Sequence, residues 1–71
     1  MRFPIQEGDV LIDNDPRLMT APGQHKRGVV LLVESDYVFV RWGVGKAQSR
    51  ILRSRIRNRD APLRRNGYTL I

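Results

Sequence analysis

Arginine crowds one part of this chain. Arg41, Arg50, Arg53, Arg55, Arg57 and Arg59 fall within twenty residues, with Lys46 between them. A guanidinium is planar, always charged, and suited to bidentate contact with phosphate and to stacking on bases or aromatic rings. Solubility alone would be served as well by lysine or by acids. A cluster of this kind attracts phosphodiester backbone by charge and by release of condensed counterions. If residues 53–59 are extended, Arg53, Arg55, Arg57 and Arg59 line one face at a period of two. If they form a 3-10 turn, the side chains fan outward. Lys26 and Arg27, in a preceding loop, are the remaining candidates for the same surface. The charge is asymmetric as well as large. Residues 1–40 hold four basic and six acidic side chains, a net of −2, whereas residues 41–71 hold nine basic ones and Asp60, a net of +8.

Other chemistry is sparse. The aromatic residues are Phe3, Tyr37, Phe39, Trp42 and Tyr68. Single-strand binders place several aromatics on an exposed sheet. Trp42 and Tyr68 read as core, which leaves Phe39 with Tyr37 as the one candidate platform; core or interface packing is the expected role of that pair, which favours duplex contact over single-strand reading. Asp13-Asn14-Asp15 has oxygen ligands at close spacing but lacks the later ligands of a calcium loop. Asx side chains ahead of Pro16 read as turn formers. His25 is the single histidine and cysteine is absent, so neither a zinc site nor a Cys–His pair can be assembled. No phosphate-binding glycine motif and no acid/base carboxylate pair is visible. The reading is a non-enzyme without metal or cofactor.

The elements that must carry the arginines read as strands. Gly8–Asp13 reads as a short strand after a turn. Residues 14–27 form a long loop with Pro16, Pro22 and Gly23. Gly28–Glu34 is an apolar, β-branched run of strand length. After a tight turn at Ser35-Asp36, Tyr37–Trp42 is the clearest strand and pairs with the previous one as a hairpin. Alternation puts Val38, Val40 and Trp42 on the core face and Tyr37, Phe39 and Arg41 on the other. Gly43 and Gly45 suit a turn with positive φ. Gln48–Leu52 is the next strand, Arg53–Arg57 a 3-10 turn, 58–66 a polar loop, and Gly67–Ile71 a closing strand. The expected fold is an all-β, single-domain small barrel over 1–71, with about five short strands and one 3-10 turn. A chain of this size buries only about 60% of its unfolded surface, and closing a sheet into a barrel removes the edges that invite aggregation.

Gly8-Asp9-Val10, Gly28-Val29-Val30, Tyr37-Val38-Phe39-Val40-Arg41-Trp42 and Ile51 with Ile56 together resemble SH3-like barrels of the KOW and Tudor kind over residues 8–56. Asp13-Asn14-Asp15-Pro16-Arg17, Ser49–Ile56 and Gly67-Tyr68-Thr69-Leu70 resemble small proteins of actinobacteria and their phages. The chain departs from that second pattern by carrying no bulky aromatic at Ile56. The first resemblance implies the barrel. The second implies a phage or mobile-element origin and no particular activity.

Three functional expectations emerge. The first is a small basic nucleic-acid-binding module that grips the phosphate backbone through Arg41, Lys46, Arg50, Arg53, Arg55, Arg57, Lys26 and Arg27, with DNA favoured over RNA. The alternative is a phage or mobile-element inhibitor or adaptor that docks on an acidic host protein. The third is a homo-oligomer formed through the Tyr37 and Phe39 face, which is compatible with either. No apolar stretch reaches the roughly 20 residues of a membrane span, and residues 1–7 lack the apolar region of a signal peptide. The expectation is a cytoplasmic protein with no membrane contact.

Overall fold

Alternating inward apolar residues decide how this chain folds. A computed structural model describes residues 4–18, 25–43, 47–62 and 67–71. Among these residues there are six strands and two single-turn 3-10 helices: β1 (Val10–Asp13), η1 (Pro16–Leu18), β2 (Lys26–Val33), β3 (Tyr37–Trp42), β4 (Gln48–Leu52), η2 (Arg53–Arg55), β5 (Ile56–Arg57) and β6 (Tyr68–Leu70). They form one sheet in the order β4-β3-β2-β1-β6-β5. All neighbours are antiparallel except β5 and β6. The two edge strands, β4 and β5, are joined by the three residues of η2. So short a link draws both edges together, and the sheet must curl into a half-barrel. The all-β expectation is met, with one strand more than the five anticipated.

The concave face of the curl holds the core. Leu11, Val30, Val38, Val40, Trp42, Ile51, Ile56 and Leu70 point inward from their strands, and Ile5 closes one end. Each inward position is flanked in sequence by outward ones, as the pleat requires. Gly28 lies on the same inner face, opposite Trp42. A Cβ there would run into Val40 Cγ1 and would stand 2.6 Å from Trp42 Cε3. The indole occupies the space that any larger residue would need. Gly43 ends β3 with φ of +64°, a left-handed conformation that glycine adopts without a Cβ penalty.

The apolar run in β2 is not a simple ladder. Its register with β3 shifts between Val30 and Leu32, so Leu31 is an extra residue in the strand. A bulge of this kind bends the strand and re-aims the side chains after it. Val33 stays against the core, while Leu32 turns outward and is 42% exposed. The N-terminal segment braces the bulge: the Gly8 amide donates to the Val30 carbonyl and the Val30 amide to that of Asp9, each at 2.8 Å. Among the described residues no helix is long and apolar enough to cross a membrane.

Candidate nucleic-acid interface

Register assigns the arginines of β2, β3 and β4 to a face. On β3, Tyr37, Phe39 and Arg41 alternate with the buried Val38, Val40 and Trp42. Their partners on β4 are Leu52, Arg50 and Gln48, and directly opposed residues share a face. Arg41 is also opposite Val29 on β2. Arg27, two residues before Val29, is therefore a diagonal neighbour of Arg41, as Arg50 is on the other side. Such diagonals are separated by roughly 7–8 Å. Arg27, Arg41 and Arg50 thus form an oblique row across three strands of the convex face. All three are exposed.

Aromatic and aliphatic side chains are interleaved with that row. The Arg50 guanidinium carbon is 4.6 Å from the centroid of the Tyr37 ring, within range of a cation–π contact. Phe39 is half-buried between Leu32 of β2 and Arg50 of β4. Leu32 and Leu52, at 42% and 41% exposure, border the pair. An ion pair lies elsewhere, between Arg17 and Asp15 at 2.8 Å. Among the described residues no carboxylate pairs with Arg27, Arg41, Arg50, Arg55 or Arg57.

Beside the β4 edge an open cleft of about 120 Å³ is lined by Arg50, Ile51, Leu52, Arg55 and Tyr68. It brings a second guanidinium, that of Arg55 on η2, to the end of the oblique row. Burial, then the charge of Asp13, pushes the Tyr68 phenol above its ordinary pKa, against an opposing pull from Arg55.

The remaining cations are placed differently. Lys26 opposes Asp13 on β1, and its ammonium lies 5.4 Å from the centroid of the Trp42 ring. It belongs to the end of the inner face and not to the outer row beside Arg27. Arg53 is half-buried. Its Nη1 donates to the Glu34 carbonyl at 3.3 Å and its amide to the Asp36 carbonyl at 2.9 Å, so it ties η2 to the β2–β3 turn. Arg57 is on β5, opposite Thr69, at the other edge of the sheet. Arg59 is exposed beyond β5. Residues 53–59 are thus neither one extended face nor one turn. Lys46 lies outside the described residues. Tyr37 and Phe39 occupy the outward positions expected of them. Leu52 could have been read from its two-residue spacing to Arg50. Leu32 could not, because the bulge reverses its direction.

The acidic residues near β1 act as turn formers. Asp13 Oδ1 accepts from the Asp15 amide at 3.0 Å, and Asp15 Oδ1 from the Arg17 amide at 2.9 Å. Next to them, Asn14 is 6% exposed and donates through Nδ2 to Thr69 Oγ1 at 2.9 Å, which joins the end of β1 to β6. His25 is half-buried at the start of β2. Among the described residues no group of three or more histidine or carboxylate side chains is arranged to hold a metal ion. Set beside known proteins, the chain matches no family model, no curated protein and no solved structure.

Proposed function

We propose that this chain is a nucleic-acid-binding module that grips the phosphate backbone through Arg27, Arg41 and Arg50 on the outer sheet face, continued by Arg55 at the adjoining cleft. The observation that carries this reading is the clustering of exposed guanidiniums that no described carboxylate neutralises. Structural arginines are usually paired, and solvated ones are usually scattered among acids. Here a row of them has no acidic partner, which is the arrangement that phosphate oxygens satisfy. The contact is electrostatic and positions the ligand without reading its sequence. The meander β4-β3-β2-β1 and the short 3-10 link to the far edge support an SH3-like barrel as the frame.

The test is equilibrium binding to labelled nucleic acid across a salt series. Affinity is expected to fall linearly on a log–log plot, with a slope of about 0.7–0.9 per phosphate contact. Arg41→Gln and Arg50→Gln should each weaken binding and flatten that slope by about one contact. Absence of binding at low salt would reject the reading. A second reading, docking on an acidic protein, is favoured by the exposed Leu32 and Leu52 beside Tyr37 and Phe39. It predicts a complex that survives nuclease treatment, whereas a nucleic-acid-bridged one does not.

A further inference from the structure

The form of nucleic acid is constrained by the side chains between the arginines. A duplex turns phosphates and sugars outward and keeps its bases stacked inside. Proteins read it by inserting a helix, ribbon or arm into a groove. Among the described residues the outer face offers none of these: it is a convex sheet, with Arg27, Arg41 and Arg50 set among Leu32, Tyr37, Phe39 and Leu52. A duplex resting on that face would meet the arginines and leave the aromatic and leucine side chains against charged backbone. A single strand carries both complementary surfaces, phosphate and the flat face of an unstacked base.

The details favour the second ligand. Tyr37 and Phe39 are two residues apart on one strand and so point the same way, about 7 Å apart along the chain. That is the separation of bases in an extended, unstacked strand rather than a stacked one. Arg50 already lies over the Tyr37 ring, so its guanidinium is held in place before any ligand arrives and loses less freedom on binding. Arg41 continues the β3 row beyond Phe39, and Arg55 shares the cleft at the β4 edge with Arg50. Phosphates on either side of two splayed bases would meet guanidiniums on both flanks.

We propose that the outer face of β3 and β4 is a platform for single-stranded nucleic acid, on which one base stacks against Phe39 and a second on the Arg50 guanidinium that Tyr37 carries, while Arg41 and Arg55 engage the flanking phosphates. This rests on the phosphate-contact reading and names its ligand. The chemistry is shared by DNA and RNA, since both present a base face and a phosphodiester.

The experiment compares oligo(dT), oligo(U) and a duplex DNA, each of roughly 12 nucleotides, on the wild-type chain and on Phe39→Leu and Tyr37→Leu. Leucine keeps the side chain apolar and removes the π face, and thermal unfolding followed through Trp42 fluorescence checks that each variant is folded. The expected result is at least tenfold tighter binding of a single strand than of the duplex. Phe39→Leu should lose about tenfold in single-strand affinity with its salt slope unchanged, and Tyr37→Leu should lose at least as much because it also removes the ring that seats Arg50. Whichever of oligo(dT) and oligo(U) binds tighter identifies the source of the strand. Duplex binding as tight as single-strand binding, or folded leucine variants with unaltered affinity, would overturn the platform and leave the phosphate-contact reading standing. No binding of any of the three at low salt would remove both.

Discussion

Trp42 shows how few residues set the character of the inner face. It is 7% exposed, with Gly28 beneath it, the Lys26 ammonium 5.4 Å from its centroid and the Tyr68 ring centred 5.7 Å away at 32°. The glycine is required by space and not by backbone conformation. Gly28→Ala should therefore destabilise the fold by about 1–3 kcal/mol, the usual cost of overpacking. In a chain with so small a core that is a large share of the total, and a lowered urea midpoint at constant slope would record it. Tyr68 supplies a second prediction. Its folded pKa is raised, so above the ordinary value near 10 the unfolded chain gives up the phenol proton first. Stability contributed by the neutral phenol is full below that pH and is lost as pH rises through the folded value. Tyr68→Phe should flatten the alkaline fall in melting temperature. An identical alkaline profile in the two proteins would contradict the assignment.

At the scale of elements, local pattern and long-range pairing divide the explanation. Strands β3 and β4 match the bounds read from the sequence; β3 alternates cleanly, with Val38, Val40 and Trp42 inside and Tyr37, Phe39 and Arg41 outside, while β4 puts Ser49 and Ile51 on the inner side and Gln48, Arg50 and Leu52 outside. Strand β2 starts at Lys26, earlier than the apolar run. Lys26 and Arg27 are extended because Asp13 and Ile12 of β1 pair with them, a contact that no property of a Lys-Arg pair foretells. Strand β5 is two residues long and exists through its parallel pairing with β6. Its sequence, Ile56-Arg57, carries no strand signal of its own. The same division holds for the candidate site. Arg41 beside Tyr37 and Phe39 is legible from a period of two. The removal of Arg53 from the free arginines is not, because it depends on η2 meeting the β2–β3 turn. Arg53→Gln should accordingly lower stability by up to about 1 kcal/mol, the worth of one hydrogen bond, and change nucleic-acid affinity less than Arg41→Gln does. An effect on binding as large as that of Arg41→Gln, with stability unchanged, would return Arg53 to the interface.

For the whole molecule, the placement of charge matters more than its sum. A net charge of +6 is screened over about 8 Å at physiological ionic strength, so only cations gathered on one surface act together. Acidic side chains sit at the rim: Asp13 and Asp15 at the end of β1, Glu34 and Asp36 in the β2–β3 turn. The convex outer face of β2, β3 and β4 carries Arg27, Arg41 and Arg50 and no carboxylate on its described strands. This arrangement steers a polyanion toward one side of the sheet and away from the turns. The core on the concave side fixes the curl, the curl fixes the register, and the register sets the oblique row of guanidiniums. The most direct test is a backbone amide NMR titration with a single-stranded oligonucleotide at low salt. Binding through the outer face predicts shifts concentrated at 27–29, 37–41 and 48–52, with the N-terminal segment and η1 left unchanged. Shifts centred on η1 and the β1 end, or none at all, would contradict it.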